Sequence, residues 1–398
     1  MYSLSYKSDQ FDQCGENIKM EQSECDDILD DWFIESLKTY KDLHVYQLEH
    51  PTQVIEWTSG RTICVAGYNS SKIEILELRL PLKLFADENK GLCPERDFKV
   101  VHGGFTEGPI RCLRHIPGTR CAVTNDGQSS DLQVWDLGGD DSDVIRRTGS
   151  IRGRTGPSET GSRIAARVSS PPEVLHGALS SSVQLTQLES GNSIYKLETE
   201  SADVLSSLQF LNDTEFLAGC RNGSIYIADT RTPAVPQASP APASSAGPVL
   251  WWTDASGPRA SSGSVVRVSS SGQAVVSDLR NLDGAVCRAQ LDVQTGHCKL
   301  DNVRVSWSPT LDDCISVSGF DGVVQIYSTA LWSTELQKAQ PMFQHRGHAV
   351  SSQADGGAPV SVTSHVWHAE RPHTLLSAAS DGSVHVWDWV DPDGSPAE

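Results

Sequence analysis

The run from His373 to Asp388, HTLLSAASDGSVHVWD, limits what this chain can fold into more than any other segment. It reads as two β-rich stretches joined by Asp381-Gly382 and closing on Trp387-Asp388. Asp-Gly suits a tight reversal because both residues tolerate positive φ, which matches the twist of two paired strands. The unit recurs, and its spacing recurs with it. Asp321-Gly322, Asn222-Gly223 and Ser271-Gly272 are each followed, five residues past the glycine, by Tyr327, Ala228-Asp229 and Ser277-Asp278. Asp126-Gly127 reaches Trp135-Asp136 with three extra residues, while Ile63–Leu78 and Val174–Leu188 repeat the two-strand pattern without Asp-Gly. That makes seven units, at about 51 residues each once about 40 N-terminal residues are set aside, a little above the usual length of a four-stranded propeller blade. Val303–Pro309 and Val362–His368 each precede a hairpin by a few residues and read as the inner strands of their blades.

These residues resemble the WD-repeat family, whose blades are four-stranded antiparallel sheets packed face to face around a channel. The expected fold is therefore all-β: a seven-bladed WD-repeat β-propeller. In that family a Gly-His histidine, a strand Ser or Thr, the turn Asp and the Trp lock a blade together. His348, Ser377, Asp381 and Trp387 occupy those places in the last unit, and the other six units are degenerate.

The ten residues after Asp388 include two prolines and a glycine, and do not read as a fourth strand for that unit. An open sheet edge invites aggregation and must be paired. Leu43–Leu48, a strand-like run ahead of the first hairpin, is the expected partner, so that the N-terminal segment closes the last blade. Before it, residues 26–40 read as an amphipathic helix with acidic first turns and an apolar stripe of Leu29, Trp32, Phe33 and Leu37. Such a helix either packs on one rim of the propeller or docks a partner. Residues 1–31 carry nine acidic residues against two lysines, and residues 1–25 read as a disordered acidic tail, as do residues 392–398 at the other end. The propeller is expected over 41–391.

Three segments exceed ordinary connection lengths. Residues 146–163 hold five arginines and one glutamate, and read as a flexible loop that either docks an acidic partner or is phosphorylated, or simply moves. Residues 233–248 are rich in Pro, Ala and Ser and read as a flexible connection. Phe85–Phe105 mixes charged with apolar residues, and its Arg96 and Phe98 join Trp32, Phe33 and Leu37 as candidate partner-binding residues.

A net charge of -19 repels phosphate backbones and anionic membranes, which disfavours direct binding to nucleic acid or membrane. The ten cysteines form no C-x-x-C pair, and no signal peptide opens the chain, so a reducing compartment is expected. No nucleophile elbow, P-loop, dinucleotide fingerprint or zinc-protease motif occurs, and no catalytic or cofactor-binding residue is assigned. His365 and His368 stand three apart on a predicted strand and so face opposite ways, and no metal site is expected from such spacing.

Several runs, including Asp31–Leu37, Glu88–Gly104, Asp141–Ile145, His345–His348 and Val386–Val390, are similar to one vertebrate branch of the WD-repeat family. The resemblance implies a cytoplasmic adaptor that helps assemble the RNA endonuclease module of the Integrator complex. The implied partners are its metallo-β-lactamase-fold heterodimer and a HEAT-repeat protein. A second implied role is in microtubule organisation at the mitotic spindle and its poles, through microtubule-associated proteins. Composition and spacing by themselves reach only a protein-binding propeller.

Overall fold

The computed structural model describes residues 32–390 apart from 33, 37, 69–72, 82–97, 140, 155–160, 244–246, 258–262, 283, 295–298 and 355–358. The predicted tails, 1–25 and 392–398, lie outside those residues. Seven sheets follow one another along the chain, each antiparallel and in sequential order except at the seam and where a strand from blade 6 joins blade 5. The first strand of every blade neighbours the first strand of the next: Thr52–Ser59, Cys112–His115, Arg163–Ala166, Leu205–Phe210, Trp251–Ala255, Arg304–Trp307 and Val362–Trp367, and so back to Thr52–Ser59. These seven strands line the channel. The second strands carry near-continuous burial, as in Thr374–Ala379, because both faces of a blade are covered by its neighbours.

The hairpins use glycine differently from the simple expectation. At Gly382, Gly223 and Gly272 the glycine alone takes positive φ, between +81° and +93°. Its N–H donates to the carbonyl three residues back, Ala379, Cys220 and Ser269 respectively. Each loop is thus a three-residue turn ending in a left-handed glycine, and the preceding Asp, Asn or Ser stays in ordinary backbone space.

The apolar core lies between blades. Between blades 6 and 7, Cys314, Val324 and Ile326 meet Trp367, Leu375, Trp387 and Trp389. Between blades 7 and 1, Leu376, Val384 and Val386 meet Ile55, Val65 and Leu78. Three tryptophans near the ends of inner strands add a polar stitch in consecutive blades. Trp307 Nε1 donates to the Asp254 carbonyl at 3.2 Å, Trp367 Nε1 to Ser306 at 3.3 Å and Trp57 Nε1 to Trp367 at 2.8 Å.

Closure runs as expected. Tyr40–Gln47 pairs antiparallel with Ser383–Trp389, placing Leu43 opposite Trp387 and Val45 opposite His385. The strand starts earlier than Leu43, and this shortens the predicted helix: Trp32, Ile34–Ser36, Lys38 and Thr39 are helical, whereas Tyr40 is already in the sheet. Tyr40 is drawn in because its ring packs edge-on against Phe343 and Trp387.

Residues 146–163 are not one flexible loop. Arg146–Ile151 is the outer strand of blade 2, paired with Leu132–Asp136, and Arg163 opens blade 3. An outer strand has one neighbour and faces water, so Arg, Thr and Ser suit it and conceal it from hydropathy. The Pro/Ala/Ser-rich stretch holds a strand too, Gln237–Ser239, the outer strand of blade 4. Lys99–Phe105, the end of the third long segment, is the outer strand of blade 1. Blade 5 has a fifth strand that no repeat predicted: Gln337–Ala339, from the connection within blade 6, pairs in parallel with Cys287–Leu291.

Candidate functional site

In the last blade Trp387, Ser377, His348 and Asp381 lie on one hydrogen-bonded lock, with the aspartate one step removed from the histidine. Trp387 Nε1 donates to Ser377 Oγ at 3.1 Å, and Ser377 Oγ meets His348 Nε2 at 2.8 Å. His348 Nδ1 meets Ser383 Oγ at 2.7 Å, and Ser383 Oγ donates to Asp381 at 2.7 Å. Asp381 therefore reaches the histidine through Ser383, because its carboxylate is turned inward to cap the Ser383 N–H of its own hairpin. Every contact is satisfied with the protons running one way, from Trp387 to Ser377 to His348 Nε2, and from His348 Nδ1 to Ser383 to Asp381. Burial holds His348 well below the usual histidine range, so the neutral ring is the one the lock uses.

Beside the lock, the closing strand is fixed by side chains as well as by its ladder. The Tyr40 hydroxyl meets His345 Nδ1 at 2.8 Å, and His345 Nε2 meets His385 Nδ1 at 2.9 Å. His385 stacks on His348 at 3.8 Å, and His345 stacks on Trp387 at 4.6 Å. His345, His348 and His385 are close enough to hold one metal ion, a grouping that spacing along the chain did not reveal because three separate elements bring it together. Five of their six ring nitrogens already have partners, and only His385 Nε2 is without one. The trio is therefore wired as a hydrogen-bond network. His365 and His368, weighed together from the sequence, have separate roles: His365 joins blade 7 to Ser316 and Ser318 of blade 6 at 2.7 Å each, and His368 caps the turn that follows.

Other blades keep fragments of the lock. In blade 2, Trp135 Nε1 donates to Thr124 Oγ1 at 2.9 Å with no histidine behind it. Blades 1 and 2 are instead joined by an ion pair whose carboxylate is buried. Arg120 holds both Glu77 oxygens, at 2.9 and 2.6 Å, with His102 and Thr58 adding further bonds. Burial pushes the Glu77 carboxyl up, but these partners outweigh it and hold the group down at about 2.

The candidate partner-binding residues fare unevenly. Phe98 is buried against Tyr46 between blades 1 and 7, so it is a core residue and not a surface anchor. Its place at the start of an outer strand turned it inward, which composition did not show. Trp32 is half-buried, while Arg96 and the side chains of Phe33 and Leu37 lie outside the described residues. Among the described residues of this region, the exposed apolar side chains are Val100, Phe105 and Val144. Val144 is brought there by a bridge to Gly103, and a Cβ on Gly104 would stand 2.2 Å from the Ile145 carbonyl, so only glycine admits the 142–145 segment.

The WD domain, G-beta repeat model matches residues 340–388, which contain the lock. A protein of Danio rerio named Integrator complex assembly factor WDR73 is 51% identical over 91% of this chain and 96% of its own length. The proteins of the same name from Xenopus laevis and Homo sapiens are 41% and 40% identical, over 90% and 91% of this chain and 97% and 98% of theirs. The chain belongs to the WDR73 family. Similarity of that extent covers the degenerate blades as well as the locked one, so a WDR73 propeller is specified by far more than its Trp-Asp signature.

One further feature of this WDR73-family ring lies at its centre. Arg114 pairs with Glu56 at 2.6 Å across blades 2 and 1, and Asp254 accepts the Trp307 N–H at 2.8 Å. Burial pushes Asp254 up to about 7. The channel is polar and arginine-lined, in a chain of net charge -19.

Proposed function

We propose that the chain is a non-catalytic adaptor in the assembly of the Integrator complex, acting in the cytoplasm on the RNA endonuclease heterodimer together with a HEAT-repeat partner. The observation that carries this reading is identity of 40–51% with assembly factors of that name, over nearly their whole length. The fold supports it: a closed ring of seven blades presents wide rims, and its best-formed polar constellation is built for rigidity. An acidic surface also suits a partner that must handle RNA, because it complements basic nucleic-acid-binding surfaces. No observation favours the spindle reading over this one.

The test is affinity purification of the full chain from cytosol, in which both endonuclease subunits should be recovered in stoichiometric amounts. Recovery of tubulin without them overturns the reading. The outer edge of blade 1 is the surface to alter first, since Val100, Phe105 and Val144 are exposed there on an ordered strand and its bridge. Phe105→Glu should cut recovery of the heterodimer severalfold while leaving the melting temperature unchanged.

A further inference from the structure

The mouth of the channel where the inner strands begin is a cavity of about 240 Å3, adjoining a second of about 230 Å3 deeper in. Four arginines line the mouth: Arg111 ahead of blade 2, Arg163 opening blade 3, Arg221 in the hairpin of blade 4, and Arg304 opening blade 6. Among the described residues a single carboxylate, Asp301, lines the same space. It is taken by Arg221 at 2.9 Å. Arg111 donates to the Gln53 side chain at 3.0 Å. Among the described residues the Arg304 side chain reaches only the Asp301 and Val303 carbonyls, at 3.4 and 3.5 Å, and the Arg163 side chain makes no hydrogen bond or ion pair.

Like charges gathered around one cavity repel, and the half-buried Arg163, Arg221 and Arg304 have also lost part of their solvation. The effect is visible in the groups themselves. Burial, then the neighbouring Arg163, pulls Arg304 down to about 10, and burial with Arg221 nearby lowers Arg163. Glu77, buried between blades 1 and 2, is matched by Arg120; of the arginines at the mouth, only Arg221 has such a carboxylate.

We propose that the channel mouth is a binding site for a phosphate-bearing small molecule, held by Arg163, Arg221 and Arg304 from three blades. Guanidinium groups pair with phosphoryl oxygens through parallel N–H donors, and three of them from different blades surround a tetrahedral group as no one blade could. Phosphate is favoured over a lone carboxylate by charge, since the excess of arginines over Asp301 is matched by a ligand carrying two or more negative charges. Size points the same way, because the cavity suits a compact anion better than a stretch of polypeptide. Such a ligand would tie blades 3, 4 and 6 across the ring, adding a contact that no neighbouring pair of blades supplies.

Pyrophosphate is the probe. Titration of the full chain at low ionic strength, by calorimetry and by thermal shift, should give saturable binding with a rise in melting temperature. Arg163→Gln and Arg304→Gln, singly and together, should weaken binding by about tenfold or more. They should not lower the melting temperature of the free protein, because each removes a repulsion. Arg146→Gln, on the exposed outer strand of blade 2, should bind as the parent does. No saturable binding by the parent overturns the proposal, as does equal binding by the channel variants. If a glutamate-rich peptide binds as tightly and loses affinity in the same variants, the site is one for acidic polypeptide and the phosphate assignment is wrong.

Discussion

In the histidine network at the seam of blade 7, the buried rings are neutral and almost completely partnered; at the channel mouth, half-buried arginines are charged and under-compensated. His345, His348 and His385 use five of six ring nitrogens in hydrogen bonds, whereas four arginines at the mouth face one carboxylate. The difference separates structure from function. A network that satisfies itself has nothing left to offer a ligand, and its return is rigidity. A cluster left unbalanced destabilises the free protein and is stabilised by something that binds.

The contrast can be broken at its strongest point first. Removing residues 40–47 should abolish a cooperative melting transition and give aggregation-prone protein, because the third strand of blade 7 would become an exposed edge. A melting curve like that of the full chain would show that the ring closes without this strand. Trp387→Ala empties the space between blades 6 and 7, and should cost about 3–5 kcal/mol in chemical denaturation. Ser377→Ala is subtler, since it removes no bulk but strands the Trp387 N–H and His348 Nε2; about 1–3 kcal/mol is expected. Equal stability of this variant and the parent would mean that the lock is ornamental.

Proton linkage sharpens the comparison further. His345, His348, His385, His365 and His176 are all lowered by burial, so the folded chain binds fewer protons than the unfolded one. Their stabilisation is complete above the ordinary histidine value near 6.5 and is lost as pH falls below it, at about 1.4 kcal/mol per pH unit for each proton taken up. Glu77, held at about 2, adds to the loss below its ordinary value of 4.5. Asp254 in the channel has the opposite sign: raised to about 7, it contributes below its ordinary value of 3.8 and loses that contribution as pH rises towards 7. Thermal melts across pH 4–8 should therefore show a steep acid limb governed by the histidines. Asp254→Asn should leave that limb intact and remove only the shallow loss between 4 and 7. The smallest effect belongs to Arg163→Gln, where stability in the absence of ligand should hold or rise slightly.

Much of this was legible in the chain. The Asp-Gly turn, the constant five residues to the blade's closing position and the lock residues follow local rules, so the hairpins and the count of blades could be read directly. The closing strand was legible by elimination, as a β-rich run without a hairpin partner. The partner surface was not. Phe98 looks like an anchor in its charged surroundings, yet it is core, because the outer strand that follows it turns its ring towards Tyr46. Arg146–Ile151 looks like a loop because an outer strand needs no apolar face.

The sequence by itself determined the repeat, the hairpins within it and the lock of the last blade, because each depends on residues within about one blade of one another. Tertiary structure alone decided what depends on the ring as a whole. It brought Tyr40 to His345 and His385, a strand of one blade to the edge of another, and Arg163, Arg221 and Arg304 to one cavity. Residues at the starts of different blades are far apart in sequence and adjacent only once the circle closes, so no pattern of spacing announces them.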